Sequence, residues 1–305
     1  MTVEHLISIW ALTPQTVREI IAHASELKAE HRAGRSRRGD LSGKTLAMIF
    51  LKPSLRTRVS FETGMTQLGG HALYLGPSDI QLDEREPIED IAQVTSRYVD
   101  GIMARVFAHE TVEELAKHAT VPVINGLSDR LHPCQALSDL VTIHERNGRL
   151  EGLRLAFIGD GNNVAQSLIY GCAKVGIDFV IACPEGFEPE EEIVEAARGE
   201  GIRVEIVHDP KEAAVGADVL YTDVWASMGE ETIAAEKKRK FAGFQINREL
   251  IDLAKDGCLV MHDLPAHYGE EITYEAARSK NSVIYDQAEN RLHTQKVILI
   301  RLLSR

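Results

Sequence analysis

The chain has 305 residues, 44% of them hydrophobic and 26% charged, with a formal net charge of −12 at pH 7. This length exceeds one hydrophobic core of ordinary size and predicts two domains of roughly 150 residues each. The negative charge argues against sequence-independent binding to nucleic acid, so functional cations have to be gathered in one place. No apolar run approaches the roughly 18 residues that span a membrane, and a signal-peptide pattern is missing, so we expect a cytoplasmic protein with no membrane partner.

The first half alternates between helix and strand patterns. The predicted elements are a helix at 14–31, an exposed loop at 33–44, a strand at 45–51, a helix at 57–68, strands at 71–75 and 101–107 around a helix at 88–98, a helix at 109–119, a strand at 121–125 and a helix at 133–146. The loop AGRSRRGDLSGK offers little to bury, so its basic run is better explained as a solvated connection than as a ligand site.

The second half repeats the alternation. Its strand-like runs are LRLAFIGDG, IDFVIACPEG, IRVEIV, DVLYTDV and CLVMHDL, separated by helix-like segments such as VAQSLIYGCAKVG. Near-continuous apolar strands between helices predict parallel sheets covered on both faces. We therefore expect an α/β fold of two doubly wound parallel-sheet domains joined by helices, with ligands at the carboxyl ends of strands and an active site in the cleft between the domains.

We place the first domain at residues 1–133, with a C-terminal helix at about 288–305 packing back on it, and the second at 134–287. Cysteines 134, 172, 183 and 258 are widely spaced and form no C-x-x-C pair. This spacing predicts buried free thiols, and suggests neither a zinc site nor a disulfide framework.

The segment PSLRTRVSFE indicates an anion site. Ser54, Arg56 and Thr57 fall just after a predicted strand and at the start of a predicted helix, where free N–H groups and the helix dipole attract an anion. Arginine in the first helical turn opposes the dipole unless something anionic offsets it. Arg58 has a second interpretation, because it is spaced to pair with Glu62 one turn later.

PSLRTRVSFE resembles the phosphate-binding motif of the transcarbamoylases, usually Ser-Thr-Arg-Thr-Arg, with Leu55 at the first threonine. Further segments follow in family order, namely ARVF, HPCQALSDL, GDGNNVAQS, TDVWASMGEE, HDLPAHYGEE and DQAENRLH. The last four resemble ornithine carbamoyltransferase more than the aspartate enzyme. Several long motifs in one order are far more specific than a single glycine pattern.

The resemblance implies that carbamoyl phosphate donates its carbamoyl group to an amine, with phosphate leaving and with neither a metal nor a cofactor. The residues it assigns to carbamoyl phosphate are Ser54, Leu55 by its backbone, Arg56, Thr57, Gln81, Arg105, His132, Gln135, Leu264 by its backbone and Arg291. Alone, Arg105 is also typical of a sheet-edge charge, Arg291 of a surface helix, and His132 with Gln135 of an ordinary helix start.

The same resemblance assigns L-ornithine to Asn163, Asp223, Ser227 and Met228, and implies L-citrulline as the product. It places Arg56, Arg105, His132, Asp223 and Asp263 nearest the chemistry. GDGNNV also resembles a dinucleotide loop, although Val164 replaces the third glycine of that motif, so a nicotinamide oxidoreductase is an alternative. SMGEE is also compatible with a capped helix.

Asp263 departs from the family, which reads His-Cys-Leu-Pro where this chain reads HDLP. A carboxylate here can accept the proton of the reacting amine, yet it also favours the charged ammonium. Asp223 and Asp263 close together would share a proton. Alternative functions are therefore a transcarbamoylase for another amine, such as putrescine or an acylated ornithine, and an activity-impaired binding paralogue.

The family loop that contains the counterpart of Gln81 reaches a neighbouring subunit, so the resemblance implies a homotrimer or an assembly of trimers. Asp83 and Glu84 replace glycine and arginine in this loop. We expect both acidic side chains to point away from an anionic substrate, as in an ordinary surface loop.

Overall fold

The computed structural model describes residues 4–35, 38–82, 85–226 and 232–304. They form two compact units, with Met1–Val141 and Asn290–Arg305 in unit 1 and Thr142–Glu289 in unit 2. Both divisions fall inside long helices, Pro133–Asn147 and Ile284–Leu303.

Unit 1 contains a four-stranded parallel sheet. Its strands are β1 (Thr45–Phe50), β2 (His71–Leu75), β3 (Gly101–Arg105) and β4 (Val123–Leu127), in the order β2-β1-β3-β4. Its helices are a 3-10 turn at Ile9–Ala11, α1 (Pro14–Arg32), α2 (Leu55–Gln67), α3 (Pro77–Ile80), α4 (Ile88–Thr95), α5 (His109–His118), the start of α6 (Pro133–Asn147) and the later part of the C-terminal helix Ile284–Leu303.

Unit 2 contains a five-stranded parallel sheet. Its strands are β5 (Arg154–Ile158), β6 (Asp178–Ala182), β7 (Val204–Val207), β8 (Val219–Thr222) and β9 (Leu259–His262), in the order β7-β6-β5-β8-β9. Its helices are α7 (Asn163–Val175), α8 (Glu191–Gly199), α9 (Pro210–Ala214), α10 (Ala234–Lys240), α11 (Arg248–Leu253) and α12 (Tyr274–Ala277). The helix Ile284–Leu303, named α13, is divided between the two units. The predicted pair of parallel-sheet α/β domains is confirmed.

The cores explain why the central strands read as unbroken apolar runs. In β1 every residue after Thr45 is buried, and in β5 every residue after Arg154 is buried. A strand covered by helices on both faces has no solvent face that would call for polar side chains. The strand β2 lies at the edge of the sheet, and the residues of its HALYL sequence are largely accessible to solvent.

Some predicted boundaries are wrong by a turn. Helix α2 begins at Leu55, two residues before the predicted start, because the Ser54 side chain accepts from the Thr57 N–H and caps it. Helix α4 ends at Thr95, short of the predicted residue 98, where the Ser96 hydroxyl donates to the Ala92 carbonyl.

No helix among the described residues is both long enough and apolar enough to cross a membrane. Cys134, Cys172, Cys183 and Cys258 are free and buried, which confirms the prediction for the four thiols.

Candidate active site

The anion site predicted from PSLRTRVSFE lies at the junction of β1 and α2. Ser54 is the N-cap of α2, and Thr57 is buried in its first turn. Leu55 is 76% exposed at the first helical position, so only its backbone can serve a buried ligand there. Helix α2 has no acidic side chain in its first turn, which leaves the positive end of its dipole available to an anion.

Arg56 and Arg58 have different surroundings. Arg58 is exposed, its Nε donates to Glu62 at 3.0 Å, and its guanidinium stacks on the Tyr74 ring at 3.9 Å from the centroid. Arg56 is half-buried, and its positive charge acts on His132. The pairing interpretation therefore holds for Arg58, and Arg56 is the arginine of this turn whose charge acts on His132.

Arg291 is fixed by neutral side chains from two other helices. Its guanidinium donates to Gln135 Oε1 and, at 3.1 Å, to Thr57 Oγ1, and all three residues are buried. Gln135 in turn donates to Asp139 at 2.9 Å, one turn further along α6. Gln135 and Thr57 hold the buried guanidinium of Arg291 in place. Because both side chains are uncharged, they do not neutralise its positive charge.

His132 is buried among three arginines. Burial first, and then the positive charges of Arg291, Arg105 and Arg56, hold the pKa of His132 well below its ordinary value. The imidazole is therefore neutral near pH 7. Arg105 ends β3 where the pairing with β4 shifts register, and such an irregularity turns a side chain away from the regular pleat.

Gln81 does not join this group within the chain. It is exposed after α3, with a left-handed backbone of φ 48°. The neighbouring Asp83 and Glu84 lie outside the described residues, so their predicted orientation stays a prediction.

Unit 2 gathers carboxyl groups at the ends of β8 and β9. Asp223 follows β8 and is buried, and its two oxygens accept from the Val224 N–H at 2.7 Å and from Asn162 Nδ2 at 2.8 Å. The other end of the Asn162 side chain caps α7 by accepting from the N–H groups of Val164 and Ala165. Asn163 is the first residue of α7 and is buried beside this contact.

Asp223 and Asp263 interact directly. Burial raises the pKa of Asp223 well above its ordinary value, and the neighbouring Asp263 carboxyl raises it further. Two carboxyl groups this close share a proton more readily than they both ionise. The sequence-based expectation of a coupled pair is therefore supported by the side-chain arrangement.

Opposing effects act on His262, at the end of β9. Burial lowers its pKa, whereas Asp263, Glu271 and Asp223 raise it to about 9. However, the Leu264 N–H donates to Nδ1 at 2.9 Å, which fits only an unprotonated Nδ1, and Asp263 Oδ1 is 3.5 Å from the same nitrogen. We therefore take the ring as neutral, with Nε2 donating to Glu271 at 2.9 Å. Leu264, whose φ is 62°, is held by this bond.

These bonds also bear on metal binding. Asp223, His262 and Asp263 bring ligand atoms within 4.8 Å of one another. Both nitrogens of His262 are engaged, Nδ1 with Leu264 and Nε2 with Glu271. In these bonds His262 offers neither nitrogen to a metal.

Sequence reasoning missed Asn162, Asp139 and Glu271. Asn162 had a signal in its position as a helix N-cap, and Asp139 in its spacing of one turn from Gln135. Glu271 gave no signal, because an acidic residue in a loop is usually solvated. The predicted residues Ser227 and Met228 lie outside the described residues.

Residues 4–145 match the family described as aspartate/ornithine carbamoyltransferase, carbamoyl-P binding domain, and residues 151–302 match its Asp/Orn binding domain. The chain belongs to the aspartate/ornithine carbamoyltransferase family. Family membership also removes the nicotinamide interpretation of GDGNNV.

Relatives within the family are similar over nearly the whole chain. An ornithine carbamoyltransferase of Pyrococcus abyssi is 52% identical over 302 residues, which cover 98% of this chain and 95% of the relative. An ornithine carbamoyltransferase of Pyrococcus furiosus described as anabolic is 52% identical over 298 residues, 96% of this chain and 94% of the relative. The solved structure of ornithine carbamoyltransferase from Pyrococcus furiosus superposes with a TM-score of 0.95 at 51% identity, covering 98% of this chain and 97% of that one.

The contrast between Arg56 and Arg58 can be tested by anion binding. Arg56→Gln is expected to weaken the binding of inorganic phosphate about ten- to hundredfold, since hydrogen bonds from a charged donor contribute about 1.5–3 kcal/mol. Arg58→Gln, the matched control in the same turn, is expected to bind phosphate as the unmodified protein does, because it removes a surface ion pair with Glu62 and a stacking contact with Tyr74, neither of which involves the other site residues. Equilibrium dialysis with labelled phosphate measures both, and equal losses in the two variants would contradict the assignment.

Proposed function

We propose that the protein transfers the carbamoyl group of carbamoyl phosphate to the side-chain amine of L-ornithine, giving L-citrulline and phosphate. The observation that carries the proposal is the opposite charge of two buried clusters. Unit 1 gathers Arg56, Arg105 and Arg291 around His132, and unit 2 places Asp223 beside Asp263. A dianionic donor fits the first cluster, and an amino acid with a cationic side chain fits the second.

In unit 1 the donor is bound through its phosphate. The N–H groups at the start of α2, the hydroxyls of Ser54 and Thr57 and the guanidinium of Arg56 supply its hydrogen bonds. The arginine cations also stabilise the charge that develops on phosphate as the bond from the carbamoyl carbon to oxygen breaks. These roles need no covalent intermediate with the protein.

His132 acts on the carbamoyl carbonyl as a neutral donor. Since its pKa is held well below the ordinary value, the ring is not an imidazolium near pH 7 and does not act as a general acid. Its N–H polarises the carbonyl together with Arg105, and Gln135, fixed by Arg291 and Asp139, orients the carbamoyl amide. Catalysis in unit 1 is therefore mainly placement and electrostatic stabilisation.

In unit 2 the amino acid is held through its head group, and its side-chain amine meets the carboxyl pair. Asn163 at the start of α7 offers an amide to the head group, and Ser227 and Met228 are proposed to complete it. The side-chain ammonium must lose a proton before its nitrogen can attack. Asp223, once ionised, accepts that proton, and its raised pKa makes the transfer less unfavourable.

Two alternatives stay open because Asp263 replaces the family cysteine. A transcarbamoylase for putrescine or an acylated ornithine would use the same unit 1 with a different acceptor. An activity-impaired binding paralogue would bind both substrates without releasing phosphate. The direction of citrulline formation is favoured by the similarity to the relative described as anabolic.

Assembly and compartment extend the proposal. We place the protein in the cytoplasm, where four buried free cysteines stay reduced. A homotrimer, or an assembly of trimers, would let the exposed Gln81 serve a neighbouring copy. Sedimentation velocity is expected to give a trimer or a multiple of it. A fully active monomer would contradict the shared site.

An acceptor panel tests the function itself. With carbamoyl phosphate present, phosphate release is expected to be at least about a hundredfold more efficient, in kcat/KM, with ornithine than with putrescine or acetylornithine, because the head-group site would otherwise leave polar groups unpaired. A preference for either other amine, or tight binding of both substrates without turnover, would contradict the proposal.

The role of Asp263 is tested by pH profiles. Asp263 raises the pKa of Asp223, so Asp263→Asn removes a negative charge and lets Asp223 ionise at lower pH. The acidic limb of kcat/KM for ornithine is therefore expected to move to lower pH. Asp263→Cys, which carries the family residue, should move it in the same direction, because a protonated thiol is also uncharged. Profiles that superimpose on that of the unmodified enzyme in both variants would show that Asp263 does not tune the proton acceptor.

A further inference from the structure

A cluster of three different metal-ligand side chains lies in unit 2, at the carboxyl ends of β6 and β7. Cys183 follows β6 and His208 follows β7, and the preceding residues, Ala182 and Val207, are register partners in the sheet. Glu188 belongs to the segment after Cys183. One ligand atom from each of these three side chains lies within 4.8 Å of the other two.

The hydrogen bonds of His208 leave a nitrogen suited to a metal. Its Nδ1 lies 2.8 Å from the Cys183 carbonyl oxygen. A carbonyl oxygen only accepts, so Nδ1 carries the hydrogen and Nε2 carries the lone pair. Metal-binding histidines usually show this arrangement, in which the ring N–H is oriented by a carbonyl or carboxylate.

The surroundings of the Cys183 thiol favour a cation. The side chain is fully buried, and among the described residues its Sγ makes no hydrogen bond. The carboxylates of Glu188 and Asp160 lie close enough to act electrostatically on the thiol. The same negative charges that oppose a thiolate attract a divalent ion, whose own charge would favour the thiolate.

We propose that Cys183, Glu188 and His208 form a zinc site. A thiolate, an imidazole and a carboxylate are the three ligand types that Zn²⁺ uses in proteins, and water can take the fourth tetrahedral position. Calcium and magnesium prefer oxygen ligands alone, so the thiol and imidazole select against them. On binding, the S–H bond breaks, a Zn–S bond forms, and the proton passes to solvent.

The sequence could not suggest this site, because its ligands come from two strands and a loop and match no zinc spacing. Two other clusters are less suited to zinc. In one, both nitrogens of His262 are engaged by Leu264 and Glu271. The other, His267 with Glu270 and Glu271, contains no thiol. Glu188 accepts from the Gly186 N–H, a bond that leaves its carboxylate further lone pairs for a metal. The proposal is independent of the carbamoyl-transfer reaction.

Zinc titration of the chelator-treated, full-length protein tests the site. Competition with a chromogenic chelator is expected to show one zinc per chain. His208→Asn keeps a side-chain N–H for the Cys183 carbonyl but has no counterpart of Nε2, so it should weaken zinc binding at least about tenfold. Cys172→Ala, which removes another buried thiol of unit 2, serves as the matched control and should bind zinc as the unmodified protein does.

Two further readouts identify the ligand atom. Cobalt substitution is expected to give a sulfur-to-cobalt charge-transfer band in the near ultraviolet that Cys183→Ser loses. Calorimetry in buffers of different ionisation enthalpy should show close to one proton released per zinc near pH 7, because a cysteine thiol is ordinarily protonated at this pH and binds zinc as the thiolate. His208 is exposed, so its variant should stay folded even where the Cys183 variant does not.

Absence of stoichiometric zinc would overturn the proposal. So would zinc binding that His208→Asn leaves unchanged, since the metal would then sit elsewhere. A cobalt complex of the unmodified protein without the sulfur band would exclude Cys183 as a ligand.

Discussion

The arrangement of unit 1 depends on the repulsion among three cations gathered around a buried histidine. Arg56, Arg105 and Arg291 all act on His132, although like charges in a poorly solvated place repel one another strongly. The protein limits the cost by keeping His132 neutral, so that a fourth positive charge is not added. It also fixes Arg291 with neutral partners, Gln135 and Thr57, which hold the guanidinium in place without cancelling its charge. The remaining repulsion among the three arginines favours the binding of a polyanionic ligand. The N-terminus of α2 adds to that preference.

Unit 2 gathers negative charge, where unit 1 gathers positive charge, and it does so on the same kind of parallel sheet. Carboxyl groups at the ends of β8 and β9 are buried together, and the cost of their proximity appears as the raised pKa of Asp223. Neutral donors again set the geometry, since Asn162 and the Val224 N–H hold the two oxygens of Asp223. In a parallel sheet every strand delivers its following residue to the same edge, so distant segments supply one cluster. A chain with an overall charge of −12 can thus present a cationic pocket and an acidic one separately.

Much of this could be predicted from the sequence where the signal is local. Apolar runs identified the strands, and PSLRTRVSFE identified the anion site because helix start, hydroxyls and arginines are adjacent in the chain. The sequence offered the pairing of Arg58 with Glu62, but the stacking of Arg58 on Tyr74 could not be predicted, because Tyr74 belongs to a neighbouring strand. Asn162 was overlooked in favour of Asn163 for a similar reason, since its bond to Asp223 spans two strands. Local pattern specifies the element, and tertiary contact selects the side chain.

The loop after β5 contains Gly161, and the close packing of this loop requires glycine at that position. A Cβ on Gly161 would lie 2.3 Å from the Pro189 nitrogen and 2.5 Å from the Glu188 carbonyl carbon, so only glycine allows the two backbones to approach. The Gly161 N–H donates to the Phe187 carbonyl, and Asp160 forms a buried ion pair with Lys237 of α10. If the loop moved, the two charges would separate and each would be left without its partner. This cost opposes movement of the loop. Asn162 and Asn163 come directly after Gly161 in the chain. Their positions are therefore set by the contacts of this loop with the segment that contains Glu188. Asn163, proposed for the acceptor, and Glu188, proposed for zinc, are consequently held by the same backbone packing.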